Sequence, residues 1–404
     1  MSDENEMINN DIFVPEIPLP DDNAMEHDII DDECDTAFKF CFCGLGQAGN
    51  RICESFYKLG YRRVCAINTN KQDLASIQIP EENKFVMDIG EGGAGKDPTK
   101  GEKAITTYYE DVYDLMRRSF GRKFDRILIL SGLGGGTGTG TISKVIDIAH
   151  DIAQSFKLEQ QGSETIVGAL VSLPQNGEGK RVNSNAISTL NNLIGLVCGD
   201  KRSLSPLILV DNDRISKLYP GLTVSQFWNV ANQSITSLFH LFNNIATKDS
   251  DITTFDRADL NDILKSGLVT FGATPLSKWD SPTDISYAIR DNLKRNILVS
   301  DVDLLTAETA ACIVVGHPDV FNEVPQDNLN HGFEMLSRIM KGEKGVVHRG
   351  IYKGNVKDKK GNPSMVVYTM IGELGKPEQR MQEMGNIANI DIKQNQGRLG
   401  RIKK

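Results

Sequence analysis

Apolar residues in this chain come in short dense blocks separated by amphipathic stretches. From Phe38 the blocks read FKFCFCG and then RVCAINT, and the segment between them, NRICESFYKLG, repeats apolar residues at three- and four-residue steps. Dense apolar runs of this length predict strands buried on both faces, and the longer period predicts a helix. The alternation continues with a Gly-rich loop GEGGAGKDP, a helix EKAITTYYEDVYDLMRRSF, a strand DRILILSG and a helix over 142–155. After these come a strand IVGALVSL, a helix over 182–197 and a strand PLILVD. Strands separated by helices predict a parallel sheet covered on both faces.

A long helix is expected next. TVSQFWNVANQSITSLFHLFNNIATK sets Val224, Phe227, Ala231, Ile235, Leu238, Phe242 and Ile245 along one face. About 24 helical residues would reach roughly 36 Å, enough to run the depth of one domain and meet a second. Beyond it, helix 257–266, strand LVTFGA, helix 283–297, strand TAACIVVGH, helix 329–341 and the runs VVHRGIYKG and SMVVYTMIG describe a smaller α/β unit. KDKKGNP, between the last two runs, has the composition of a hairpin turn. The fold class expected is therefore α/β: a parallel-sheet, Rossmann-like nucleotide-binding domain, a long central helix and a second, smaller α/β domain. The boundaries read as 1–37 for an acidic disordered arm, 38–222 for the nucleotide-binding domain, 223–247 for the helix, 248–375 for the second domain and 376–404 for a basic tail.

Charge changes the picture only at the ends. The 404 residues carry a net charge of −9, yet residues 1–38 hold thirteen acids and no Lys or Arg, while 376–404 hold seven Lys/Arg against three acids. The body between is neutral, so the charge lies in the tails. Hydrophobic content of 39% and charged content of 25% are ordinary for a soluble globular protein, and no apolar run approaches the roughly 20 residues that span a bilayer. The seven cysteines lie mostly inside apolar runs and read as reduced thiols of a cytoplasmic protein, without the paired spacing of a zinc site.

Candidate chemistry concentrates in three glycine loops. Backbone N–H groups at a helix N-terminus bind phosphates, and glycine removes the Cβ that would block them. GLGQAG, Gly44 to Gly49, meets the dinucleotide pattern, but the acid expected at the end of the next strand is replaced by Asn68-Thr69-Asn70. GEGGAGKD, Gly90 to Asp97, nearly spells a Walker A motif, with Asp97 where a magnesium-holding hydroxyl is needed. SGLGGGTGTGT, Ser131 to Thr141, places six glycines and three threonines between a strand and a helix. This is the composition of a phosphate cradle; a flexible surface turn is the alternative.

GGGTGTG, with GLGQAGN about ninety residues earlier, resembles the tubulin/FtsZ superfamily of GTP-dependent filament proteins. The resemblance covers most of the ordered chain and weakens after about residue 300. It implies nucleotide contacts at Gly46, Gln47, Ala48, Gly49 and Asn50, at Asn68, at Gly93, Ala94 and Gly95, and at Gly134, Gly135, Gly136, Thr137, Gly138 and Thr139. PQNGEGKR offers Glu178 and Lys180 to the ribose, although the family's usual later Arg is displaced, and VDND offers Asn212 near the sugar and base. On the long helix Trp228 would stack on guanine and Asn232, one turn later, would read the base edge. Without the resemblance Trp228 reads as core and Asn232 as an exposed helix residue.

The same resemblance implies that TTFDRADLNDIL enters the site of the next subunit, where Asp256 and Asp259 would position the attacking water as catalytic residues. As plain sequence, Asp256 reads as a helix N-cap with Asp259 in the first turn. The FDxxD form and the LVDN and SLP segments resemble the TubZ branch, of plasmid and phage origin. The function implied is a GTPase with GTP/GDP and Mg2+ as cofactors and no protein metal ligands, polymerising head to tail with itself. RLGRIKK would meet DNA phosphates, an acidic surface or a DNA-bound adaptor, with a solvated basic tail as the alternative, and no membrane insertion is expected. An FtsZ-like division protein, a Rossmann oxidoreductase and a filament protein without turnover remain the alternatives.

Overall fold

In the computed structural model, which describes residues 33–389 apart from 160–163, 200–201, 277, 297, 300–301, 341–344 and 359, side chains of β1 (Phe40–Leu45) alternate between two cores. Phe40 and Phe42 enter one, and Cys41, Cys43 and Leu45 enter the other, on the opposite face of the sheet. The order across this ten-stranded sheet is β3 (Lys84–Val86), β2 (Val64–Asn68), β1, β4 (Arg126–Gly132), β5 (Val167–Leu173), β6 (Leu207–Asp211), β7 (Leu268–Leu276), β10 (Met365–Gly372), β8 (Thr309–Gly316) and β9 (Val346–Lys353). From β3 to β7 neighbouring strands are parallel. β10 runs antiparallel to both β7 and β8, and β9 is parallel to β8. β7 links the two parts: Leu268 and Val269 pair with β6, and Thr270 to Leu276 pair with β10.

Helices cover both faces. α1 (Gly46–Lys58), α2 (Lys71–Ala75), α7 (Asn212–Leu218), α8 (Val224–Ile245) and α9 (Arg257–Leu264) bury apolar residues on the Phe42 side. α3 (Pro98–Thr107), α4 (Tyr109–Phe120), α5 (Gly136–Ser155), α6 (Lys180–Cys198), α10 (Pro282–Asp291), α11 (Pro318–Phe321), α12 (Gln326–Ile339) and α13 (Glu378–Ala388) do so on the other. On the Phe42 side an aromatic cluster ties strand to helices: Phe42 stacks on Phe56 of α1 at 4.0 Å, and Phe239 of α8 meets Phe56 edge-on at 5.3 Å. α8 starts where the sequence places it, with Thr223 as N-cap in a capping box with Gln226. Ala231, Ile235, Leu238, Phe242 and Ile245 of its expected face are buried.

Three expectations are corrected. β9 and β10 do not form a hairpin, because β8 lies between them; β8 is buried along nearly all its length and takes a partner on each side. KDKKGNP still turns locally, closing a bridge between Lys357 and Pro363. The helix expected over 102–120 is two helices meeting at Tyr108, the first capped by Asp97. The ends of the body also move. Among the described residues Glu33 and Cys34 already hydrogen-bond to it ahead of Phe38, and the segment expected as a tail from 376 opens with α13. RLGRIKK and most of the acidic arm lie outside the described residues.

Candidate functional site

A cavity of about 560 Å³ opens at the carboxyl ends of β1, β2, β4, β5 and β6. The chain leaves β1 toward β2 on one side and returns to β4 on the other, so the strand order reverses at this point. Open parallel sheets bind ligands in that crevice. The loops after the five strands supply the walls: Gly46, Gln47 and Ala48, then Asn68 to Asn70, then Gly132 to Gly138, then Ser172, Pro174 and Glu178, then Asn212.

The floor is built to receive negative charge. α1 and α5 both begin at the cavity, neither has a side-chain N-cap, and neither has an acid in its first turn. α2, α3, α7, α9 and α10, by contrast, are capped by Asn70, Asp97, Asp211, Asp256 and Ser281. Uncapped first-turn N–H groups and the positive ends of two helix dipoles favour an anion between them. The charged walls hold Arg51 and Lys96 against Asp73, Glu91 and Glu178, so the anion-binding character rests on the helix N-termini. Asp97 is now accounted for: its carboxylate accepts from the Thr99 N–H and hydroxyl, so the residue that breaks the Walker A pattern caps α3.

Thr69 holds the loops in register. Its hydroxyl lies 2.6 Å from that of Thr137 and accepts from the Ala94 N–H at 3.1 Å, tying together the loop after β2, the Gly-rich loop before α3 and the first turn of α5. Asn185 of α6 donates to the carbonyls of Lys96 and Gly134, both at 3.1 Å, and fastens two of the same loops from behind. Neither residue is among those singled out from sequence. Thr69 stood beside Asn68 at a strand end; Asn185 carries no sequence signal, since only the fold brings it there. Asn70, Asp73 and Ser172 of the lining were likewise not singled out.

The expected contacts divide into two groups. Gly46, Gln47, Ala48, Asn68, Gly93, Ala94, Gly95, Gly134 to Gly138, Glu178, Asn212, Trp228 and Asn232 all line the cavity. Trp228 and Asn232 face it one helical turn apart on α8, and Trp228 remains 36% exposed, so the core reading of Trp228 does not hold. Gly49, Asn50, Thr139 and Lys180 do not line it. A Cβ on Gly49 would lie 2.1 Å from the Leu130 carbonyl oxygen, so this glycine lets α1 press on β4. Asn50 donates to the Ile67 carbonyl at 3.1 Å, and Thr139 accepts from the Gly134 N–H at 2.8 Å, where Gly134 has φ +125°. Lys180 opens α6 with its side chain exposed.

Asp256 and Asp259 stand elsewhere. Asp256 accepts from the N–H groups of Ala258 and Asp259, and Asp259 accepts in return from the Asp256 N–H, a reciprocal cap of α9. Asp259 also meets His348 Nδ1 at 2.7 Å. Between the two acids, Arg257 bonds Asp125 at 2.7 Å, and Asp125 immediately precedes β4. The cavity opens at the other end of that strand, whose seven residues span about 23 Å. The acids and the cavity therefore occupy opposite edges of the sheet.

Residues 39–220, which contain every loop of the cavity except the face of α8, match the Tubulin/FtsZ family, GTPase domain. They are a GTPase domain of that family. The chain is similar to the tubulin-like protein TubZ of Bacillus cereus, 24% identical over 72% of this chain and 68% of that protein. It is also similar to the cell division protein FtsZ of Haloferax mediterranei, 28% identical over 76% of each chain. Among solved structures, a GTPγS-form protofilament of TubZ from Bacillus thuringiensis serovar israelensis superposes with a TM-score of 0.74 at 20% identity, covering 92% of this chain and 96% of that one. FtsZ of M. jannaschii gives 0.62 at 23% identity, covering 86% and 91%. The GTPase domain and the strands beyond it thus share the tubulin/FtsZ fold. Among the described residues no helix is long and apolar enough to cross a membrane.

Proposed function

We propose that this chain binds and hydrolyses GTP in a site completed by a second copy of itself, packed head to tail. The observation that carries the proposal is the separation of the cavity from Asp256 and Asp259, which stand at opposite edges of one sheet. Within one molecule the acids cannot reach a nucleotide in the cavity. A translated copy stacked along the strand direction brings the α9 edge of one subunit over the cavity of the next, and such a heterologous contact repeats into a filament. The phosphates would lie on the N-termini of α1 and α5, with guanine against Trp228 and its edge read by Asn232. Asp256, whose second carboxylate oxygen is not used in the cap, would orient the water for in-line attack.

A magnesium ion held by the nucleotide's phosphates would supply charge neutralisation there; among the described residues no group of three or more carboxylate, histidine or cysteine side chains is placed to hold a metal. The reading predicts that turnover per subunit collapses below a threshold protein concentration; a flat specific activity would refute it. We further propose that the filament segregates or positions plasmid or phage DNA through an adaptor bound by the basic C-terminal residues, as the likeness to TubZ and the FDRAD sequence support. Likeness to FtsZ supports division as the rival. Deleting the gene separates the two, since loss of a replicon marks segregation and failed septation marks division.

A further inference from the structure

Among the described residues Arg380 of α13 is the largest side chain buried to this extent, at 1% exposure, and the cavity lining does not include it. Its guanidinium donates to three groups on two segments. Nε donates to Asp211 Oδ2 at 2.9 Å, Nη1 to Asn176 Oδ1, and Nη2 to the Pro174 carbonyl at 2.6 Å. Each partner adjoins the cavity wall. Pro174 lines the cavity itself, Asn176 shares a short helical turn with the lining residue Glu178, and Asp211 directly precedes the lining residue Asn212. Asp211 is committed on both oxygens, since Oδ1 caps α7 by accepting from the Asp213 N–H at 3.1 Å. Burial pushes its carboxyl above the ordinary range, and the adjacent Arg380 charge opposes that shift.

A buried guanidinium is tolerated only while its donors are matched, and its planar fork fixes where the matching atoms must be. Arg380 therefore demands one spacing between the 174–178 turn and the 211–212 strand end, two neighbouring walls of the cavity. The rest of α13 packs on α6 through buried Met381, Met384 and Ala388. We infer that Arg380 is a positioning residue that couples docking of α13 to occupancy of the cavity. An occupied cavity holds both walls at the spacing that seats α13, and a seated α13 holds the walls for the ligand. The two effects are equal by linkage. After α13 the chain continues for sixteen residues carrying Lys393, Arg398, Arg401, Lys403 and Lys404, so the root of the basic segment is anchored in proportion to nucleotide binding.

This inference rests on the reading that the cavity holds a guanine nucleotide, and one experiment tests both. Hydrogen exchange of the full-length protein is followed over 378–388 with and without saturating GDP, and GDP affinity is measured by calorimetry for the parent and for Arg380→Lys. Exchange over α13 should slow at least about fivefold with GDP, and Arg380→Lys should weaken GDP about tenfold while abolishing the GDP-dependent slowing. A purely structural Arg380 would lower thermal stability in the variant yet leave the parent's α13 indifferent to GDP. GDP binding with unchanged exchange over 378–388, or unchanged affinity in Arg380→Lys, overturns the coupling alone. No binding of GDP to the parent overturns the nucleotide reading with it.

Discussion

Thr69, on the loop after β2, and Thr137, in the first turn of α5, bring their hydroxyl oxygens within 2.6 Å in the cavity wall, and the Ala94 N–H points at the same Thr69 oxygen. Thr69→Val keeps the shape and removes the oxygen, leaving a buried N–H and a buried hydroxyl unmatched. The expected cost is about 1–3 kcal/mol of stability, with a further loosening of nucleotide binding of about tenfold as the loops slip. Denaturant titration checks the first, and titration with a fluorescent GDP analogue checks the second. A variant with parental affinity would mean that Thr69 serves folding only.

The cap that Asp256 makes on α9 and the catalytic role proposed for it can be separated by substitution. Asp256→Asn keeps a capping oxygen for α9 and loses the charge, so the midpoint of unfolding should scarcely move while GTP turnover falls about a hundredfold. Mixing supplies the stricter test. Asp256→Asn contributes a sound cavity, and a variant lacking both Trp228 and Asn232 contributes a sound Asp256, so neither alone should turn over GTP. The mixture should recover up to about one quarter of parental phosphate release by random head-to-tail pairing. Two inactive proteins that stay inactive together would remove the shared site.

Trp228 is more than a third exposed and faces the cavity, whereas Trp279 is packed against the other core. Guanine stacking should therefore quench the Trp228 part of the intrinsic emission on adding GDP, and Trp228→Phe should lose that response while still binding. Asn232→Ala should cost about tenfold in affinity for GTP and much less for ATP if, as proposed, the amide is placed to pair with the guanine edge. Competition binding with the two nucleotides reads that ratio.

His150, near the far end of α5, carries a pH signature. Burial works against its charged form, but the 2.7 Å contact with Glu159 outweighs it and holds the ring above its ordinary value of 6.5. Burial likewise works against the ionised Glu159, and the same bond outweighs it, leaving that carboxyl below 4.5. A raised histidine favours the folded state below 6.5 and loses that contribution as pH rises through its folded value. The lowered glutamate contributes above 4.5 and loses it as pH falls. The melting temperature of His150→Gln should thus lie furthest below the parent's at about pH 5–6 and approach it by about pH 9. A gap that widens with pH would contradict the assigned pair.

The strand and helix alternation from Phe38 to Asp211 was readable because each element is long, strongly patterned and packed against its sequence neighbours. KDKKGNP misled because turn composition reports a local reversal and says nothing about which strand lies alongside; the burial of β8 on both sides decided the pairing. The glycines of SGLGGGTGTGT were readable as a group and not singly. A Cβ at Gly135 meets nothing within 4 Å, as a phosphate cradle requires, whereas one at Gly140 would lie 2.1 Å from the Pro98 carbonyl oxygen and one at Gly136 would lie 2.7 Å from the Asp97 nitrogen. Part of that glycine content lets α3 and α5 touch, a demand that only the fold reveals. Arg380 sat in a stretch read as a solvated basic tail, and nothing in its neighbours marks it as the most enclosed cation of the described residues.

The cavity and Asp256 face opposite ways along the sheet, and a filament built on that plan always has one fewer completed site than it has subunits. On the proposed reading one terminal molecule would keep a nucleotide that no neighbour can attack, and it would remain loaded until the next copy arrives. Growth at that end would therefore start the clock on the molecule just covered, never on the one just added.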